Sequence, residues 1–347
     1  MTAVSRTRTD PSGRGGAGLS IAVLSAATFG TSGTFASSLI DAGWSPAAAV
    51  TARVATAAVL LTVPALLALR RAGGWGALRA AAGRVIAYGL VGVAGCQFCY
   101  FNALQRMPVG VALLLEYLGA VLVVGWLWVR HGQRPRRLTV AGSVTAVTGL
   151  VLVLDLTGSG HISPVGVMWG LLAAVSLAIY FVLSAAGGQS SVAAGPERAE
   201  PELPAVAMAW GGMCVGAVAL GVLGGSGAVP MTATTRDVHL LGHHVSWVIP
   251  VLGVALLATV VGYTTGIRAA RLLGAKLASF VSMAEVLFAI GYAWILLHQL
   301  PSAIQFLGGA FIFTGVALVR IDEMSSSPGA ATPEGEPEPE AVTAAAP

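Results

Sequence analysis

Ten apolar runs, each roughly 18 to 24 residues long, alternate with polar connections along the chain: 19–39, 46–69, 84–104, 108–129, 138–155, 164–183, 204–224, 246–267, 274–297 and 301–320. At about 1.5 Å per helical residue, each run covers most or all of a ~30 Å hydrocarbon layer. The pattern predicts an all-α integral membrane protein with ten transmembrane helices. Sixteen of the 19 Lys and Arg residues fall on alternate connections, only Arg106 and Arg236 fall on the opposite set, and Arg53 lies within the second run. Basic connections stay on the cytoplasmic side, so both termini are expected there, in a multi-pass protein of the cell membrane. The basic stretch 1–18 reads as a cytoplasmic tail, 184–203 as a polar inner linker, and 325–347 as a disordered acidic tail rich in Pro and Ala.

The second half repeats the first. An offset of 166 residues lays "TVAGSVTAVTGLVLV" (139–153) on "QFLGGAFIFTGVALV" (305–319), matching Gly142 to Gly308, Thr148 to Thr314 and Gly149 to Gly315. Each half, 19–155 and 164–320, then holds five helices. An odd number of spans sends the halves into the membrane from opposite sides. Two inverted five-helix repeats of this kind are an architecture of secondary transporters.

Composition agrees with lipid and narrows the chemistry. Hydrophobic residues make up 56% of the chain and charged ones 10%, with a mean hydropathy of +0.80. The net charge of +4 is spread over short clusters rather than one basic patch, so no nucleic-acid partner is expected. Cys96 and Cys99 have C-x-x-C spacing, but no second pair completes a zinc site, and with Cys214 they read as buried thiols. His239 and His243 in "HLLGHH" stand at i, i+4, a spacing that could bind a metal were the segment helical, but the segment reads as an outer loop and no metal site is expected there. The chain has no H-E-x-x-H, no G-x-S-x-G and no phosphate-binding loop. No enzyme activity, cofactor or metal is expected, and a gradient rather than ATP would drive transport. The 45 glycines, with Ala, Ser and Thr, suit close helix packing in lipid.

Charged side chains deep in the runs are Arg53, Glu116 and Glu285. A charge at the centre of a membrane helix costs about 2.5–3.5 kcal/mol on insertion scales, so such groups usually face a bundle interior or an aqueous path. Stepping by three and four places Glu116 on a stripe with Val109, Ala112, Leu113, Gly119, Ala120 and Val123, opposite Leu114, Leu118, Val121 and Leu122. Glu285 shares a stripe with Ala278, Val281, Ser282, Ala289 and Tyr292. Each glutamate could line a substrate cavity or merely fasten two helices, and Arg53 could instead snorkel to the outer surface. Gln97, Tyr100, Tyr180 and Tyr263 could add hydrogen-bonding groups to a central cavity, and the tyrosines could equally belong to an interfacial belt. Under the offset Glu116 falls on Ser282 and Glu285 on Gly119, so the two acids are not copies of each other and an asymmetric site is expected.

The stretches "ALQRMPVGVALLLEYLGAVLVVGWLWVRHGQRP", "AAVSLAIYFVLS" and "GAKLASFVSMAEVLFAIGYAWILLHQLPSAIQFLGGAFIFTGVALV" resemble the drug/metabolite transporter superfamily, specifically EamA-type permeases, over roughly residues 19 to 320. The resemblance implies ten helices in two inverted repeats and export of small metabolites without ATP; the run from Pro108 to Tyr117 is most similar to amino-acid exporters of the threonine/homoserine type. Family members commonly carry Pro where this chain has Ala120 and Val286, which removes the usual cause of a kink there, and Glu where it has Gln133 and Gln299. The expected function is therefore a permease exporting a small polar metabolite such as an amino acid by alternating access. A non-transporting membrane scaffold or sensor is the competing reading. The expected partners are the small-molecule substrate, the lipid bilayer and, for a homodimer, a second copy of the chain.

Overall fold

The computed structural model describes residues 11–72, 74–119, 136–153, 163–193, 203–240, 242–298 and 302–325. It is mostly helical: α1 (Pro11–Asp41), α2 (Pro46–Arg71), the short α3 (Trp75–Ala80), α4, α5 (Val109–Tyr117), α6 (Arg137–Val153), α7 (Pro164–Ala193), α8 (Ala205–Gly225), α9, α10 (Ala284–Leu297) and α11 (Ala303–Ser325). Helix α4 is built from Ala82–Ala87, a π-helical stretch Tyr88–Gly95, and Cys96–Leu104; α9 is built from Val248–Gly253, a π-helical stretch Val254–Val261, and Gly262–Ser282. Ala17–Asp41, Pro46–Arg71, Ala82–Leu104, Ala205–Gly225 and Val248–Leu273 are long and apolar enough to cross a membrane, and Pro164–Tyr180, Ala284–Leu297 and Phe306–Val319 are shorter apolar helices. The predicted fourth run is described only as far as Gly119, so Ala120, Val121, Leu122, Val123 and Gln133 lie outside the described residues, as do Gln299 and the tail from residue 326.

Burial is arranged as lipid requires. Large apolar side chains such as Val59, Val63, Val218, Leu287, Ile295 and Phe306 face outward, while Ser32, Thr34, Arg53, Gln97, Glu116 and Thr259 are buried. Hydrocarbon offers no hydrogen-bonding partner, so polar groups gain by turning inward. Helix α1 lies against α9 and α10, α2 against α8, α4 against α7, and α6 pairs with α11.

Several boundaries differ from the sequence pattern. Helix α1 begins at Pro11, inside the expected tail, because Pro is preorganised for a first helical turn and extending an existing helix costs little. Helix α7 continues to Ala193, halfway through the expected linker. Helix α9 stays continuous across 268–273, where a loop was expected, because "RAARLL" consists of strong helix formers, and the break comes at Met283 instead. Helix α5 likewise stops at Leu118. Both interruptions form without proline: Leu118 N–H reaches the Leu115 carbonyl and Val286 N–H the Met283 carbonyl, each at 3.1 Å, a one-residue-tighter turn that ends the α-helical ladder. His239 and His243 sit on a two-stranded hairpin, β1 (Val238–Leu240) and β2 (His243–Val245), paired antiparallel with His239 opposite His244. The helical i, i+4 arrangement is therefore absent, and among the described residues no group of three His, Cys, Asp or Glu side chains could hold a metal.

The repeat is visible in the backbone. The two π-helical stretches, 88–95 and 254–261, are separated by the 166-residue offset read from the sequence. Helices α6 and α11, which carry the best-matched segments, cross where Gly142 abuts the Gly315 carbonyl and Gly149 abuts the Gly308 carbonyl. As one chain advances from 142 to 149 its contact recedes from 315 to 308, so the two helices run antiparallel. A Cβ at Gly149 would lie 2.5 Å from the Gly308 oxygen and 2.6 Å from the Ile312 nitrogen, whereas one at Gly221 on α8 would meet nothing within 4 Å. Gly149→Val is expected to lower the melting temperature in detergent by several degrees, an overpacking cost of about 1–3 kcal/mol. Gly221→Ala should leave it unchanged or slightly raised; equal melting of both variants and the parent would refute the close crossing.

Candidate functional site

The two π-helical stretches deliver the centre of the molecule. Each is followed within two residues by a polar side chain, Gln97 on α4 and Tyr263 on α9, and these are equivalent positions in the two halves. They touch: the Gln97 Nε2 amide donates to the Tyr263 hydroxyl at 3.2 Å. A π-helical turn shifts the register of the carbonyls, leaving some available to other partners. In the second stretch the Thr259 hydroxyl donates to the Val254 carbonyl five residues back at 2.8 Å, and the Ala258 carbonyl turns toward Arg53.

Arg53 is fully buried, at 0% exposure, which overturns the snorkelling alternative. Its Nε donates to Thr259 Oγ1 and one Nη1 hydrogen to Ser32 Oγ, both at 2.6 Å; the other reaches Gln97 Oε1, and Nη2 lies 3.5 Å from the Ala258 carbonyl. The ring of Phe101 lies beneath the guanidinium, 5.7 Å from its carbon. A guanidinium has donors only, so Gln97 must present its oxygen to Arg53 and its nitrogen to Tyr263. One cation thereby joins α1, α2, α4 and α9 and fixes the orientation of the amide at the repeat junction.

Beside this network lies a small cavity of about 40 Å³, lined by Gln97, Glu116, Tyr117, Tyr180, Tyr263 and Glu285 together with Ser25, Phe29, Cys96 and Ser282. Five of the seven residues proposed from sequence meet here. Arg53 stands behind the wall, and Tyr100 packs on Phe101 and against Gly33 of α1, outside the lining. The predicted stripe of Glu116 is not how α5 sits. Leu114 and Leu118, placed on the opposite face, are as buried as Val109 and Leu113, because the short helix is enclosed on all sides.

The acids occupy different surroundings. Glu116, 5% exposed, accepts from the Cys96 thiol at 3.1 Å, so Cys96 belongs to the site rather than being only a packing thiol. Glu285 is the second residue of α10, two past its N-cap Met283, where the unpaired N–H groups of a first turn favour negative charge. The Tyr117 hydroxyl lies 2.9 Å from Glu285 Oε2 and 2.7 Å from the Ser282 carbonyl, tying α5 to the break between α9 and α10. Tyr117 was missed in the sequence although it adjoins Glu116. Gly119, which the repeat pairs with Glu285, is pressed on the Ala174 backbone, where a Cβ would come within 3.0 Å of the Ala174 carbonyl carbon. No side chain fits there, which leaves the first half without a counterpart of Glu285.

Glycines also seat the aromatic wall. Tyr180 lies across Gly92 and Gly266: a Cβ on Gly266 would stand 2.7 Å from the Tyr180 hydroxyl, and one on Gly92 3.3 Å from its Cβ. The rings of Tyr180 and Tyr263 are 5.6 Å apart and nearly perpendicular, at 88°, and Phe29 meets Tyr263 edge-on at 4.9 Å.

Comparison with known proteins places this geometry. Residues 16–155 and 164–321 each match the EamA-like transporter family. The aromatic amino acid exporter YddG of Ancylobacter novellus is 34% identical over 100 residues, 28% of this chain and 35% of that protein. A protein named undecaprenyl-diphosphatase 1 from Shouchella clausii is 34% identical over 104 residues, 29% of this chain and 38% of that one. The matched regions thus span little more than a third of these relatives. One solved crystal structure superposes with a TM-score of 0.57 at 20% identity, covering 90% of this chain and 99% of its own, a likeness of fold. With both halves matched and its apolar helices turned outward, the chain is a multi-pass membrane protein of the EamA-like transporter family, built from two copies of the family's repeat.

Proposed function

We propose that the protein is a secondary transporter that moves a small polar metabolite, such as an amino acid, outward across the cytoplasmic membrane by alternating access, without ATP. The observation that carries this reading is the cavity between the halves, holding two carboxylates where the repeat-equivalent residues Gln97 and Tyr263 meet. Glu116 and Glu285 either pair with the substrate's ammonium group or carry a coupling proton. Ten spans in two inverted repeats are supported by the antiparallel crossing of α6 and α11 and by the odd helix count of each half. Cytoplasmic termini are supported by the distribution of Lys and Arg. The direction rests on the partial match to an amino acid exporter.

Alternating access needs places where a helix bends without losing its place. The paired π-helical stretches, together with the breaks at Leu118 and Met283, lie next to the polar lining and suit that role. A diphosphate-cleaving reading, suggested by the other partial relative, fits poorly, because two cavity carboxylates would repel a diphosphate. An immobile scaffold could use Glu285 to fasten α5 to α10 through Tyr117, but that role leaves Glu116 at the cavity unaccounted for.

In proteoliposomes loaded with a metabolite mixture, Glu116→Gln and Glu285→Gln should each slow release of the transported compound by about tenfold or more, as expected when one member of a buried charge pair is neutralised. Unchanged, still pH-dependent transport by both variants would sink the assignment. Arg53→Lys tests the network behind the wall. A lysine ammonium lacks the planar fork that reaches Ser32, Gln97 and Thr259 together, so melting should fall by several degrees and transport with it. A fully stable, active Arg53→Lys protein would show that charge alone suffices.

A further inference from the structure

A second and larger space, a crevice of about 220 Å³, lies between α5, α10 and α11. Its walls include Leu114 of α5, Val286, Leu287 and Ile290 of α10, and Phe306 and Phe313 of α11. Among the described lining residues only Thr314 has a polar side chain. A buried water needs two to four polar partners, and apolar cavities of about 150 Å³ stay dry and accept apolar guests instead. An empty void would leave its lining atoms without dispersion partners, at a cost that grows with volume. The lining follows α11 from Phe306 to Thr314, about 12 Å at 1.5 Å per residue, so the crevice is elongated. Leu287 and Phe306, 60% and 68% exposed, stand at its mouth, and the exposed Ile295 and Leu307 continue the apolar surface on the same two helices. That surface faces the bilayer, which makes the crevice continuous with the protein's lipid interface.

We propose that an acyl chain of a bilayer phospholipid occupies this crevice, entering sideways past Leu287 and Phe306. Its shape, its dryness and its opening toward hydrocarbon all suit an unbranched apolar chain. The lodged chain packs on the two helices that carry the acids: α5 turns Glu116 to the polar cavity and Leu114 to the crevice, and α10 turns Glu285 to the cavity and Val286, Leu287 and Ile290 to the crevice. Both helices are interrupted close by, at Leu118 and Met283. In lipid, helices are held together by van der Waals contact rather than by a hydrophobic drive, and the acyl chain supplies that contact where the neighbouring side chains leave space. The inference requires only that the bundle lies in a bilayer and does not depend on the transporter reading.

The test is photolabelling of the full-length protein in vesicles of phosphatidylcholine and phosphatidylglycerol, doped with a phosphatidylcholine that carries a diazirine in one acyl chain, with adducts mapped by peptide mass spectrometry. The wild-type protein should be labelled at Val286, which is 2% exposed, and at Ile290, as well as at outward residues such as Val59 and Val218. Ala289, buried but outside the crevice lining, should stay unlabelled. In Ala310→Phe the added ring takes up the space, so the adducts at Val286 and Ile290 should be lost while those at Val59 and Val218 persist. Labelling of the wild-type protein confined to outward residues overturns the proposal, and so does retention of the Val286 and Ile290 adducts in a folded Ala310→Phe protein. Loss of all labelling around the mouth, together with a disulfide between two copies of Phe306→Cys, assigns the crevice to a second copy of the chain and also overturns it. The wild-type map decides the question alone if Ala310→Phe fails to fold. Each of these results leaves the transporter reading to the metabolite-release assay.

Discussion

A guanidinium can be held inside a lipid-embedded bundle only where neighbouring elements converge enough acceptors on it. Arg53 meets that condition with neutral partners, drawn from α1, α4 and the π-helical stretch of α9. Because Arg cannot accept a hydrogen bond, the polarity of each partner is dictated outward from it. Gln97 turns its nitrogen to Tyr263, and Thr259 spends its proton on the Val254 carbonyl while its oxygen receives Arg53. The orientation of the cavity's polar wall is thus set by a residue outside the cavity. The π-helical register shift belongs to the same arrangement, since it brings the Ala258 carbonyl within 3.5 Å of Nη2.

Glycine decides where the other walls stand. Gly92 and Gly266 let Tyr180 lie across both halves, Gly262 receives Phe29, and Gly30 lets the start of α10 press on α1. Van der Waals packing of this kind substitutes for the hydrophobic drive that lipid removes. The Gly119–Ala174 contact works in the opposite sense, closing the position at which the first half would otherwise carry a second copy of Glu285.

Much of this was legible in the residues. Periodic apolar runs marked the helices, and the 166-residue offset predicted the non-equivalence of the two glutamates. Five candidate side chains converge on one cavity, because a charge or amide in an apolar run has few places to go except inward. Tyr117 escaped because its role lies in reaching the other half, at Ser282 and Glu285, which no local pattern encodes. The π-helical stretches escaped because "YGLVGVAG" and "VALLATVV" contain no proline to mark a departure from the α-helix. The breaks at Leu118 and Met283 were hidden for the same reason, and the one face assigned to α5 failed because a helix enclosed all round has no solvent face to contrast with.

The crossing of α6 and α11 maps onto itself under the repeat: Gly142 meets the counterpart of Gly149, and Gly149 meets the counterpart of Gly142. A contact of that form is the isologous kind by which two identical subunits pair about a twofold axis. A single repeat would present the same surface to a second copy of itself. Such a dimer would be obliged to place the same side chain at both equivalent sites. Covalent fusion of the halves lifts that obligation, and Gly119 stands at the position that the repeat pairs with Glu285.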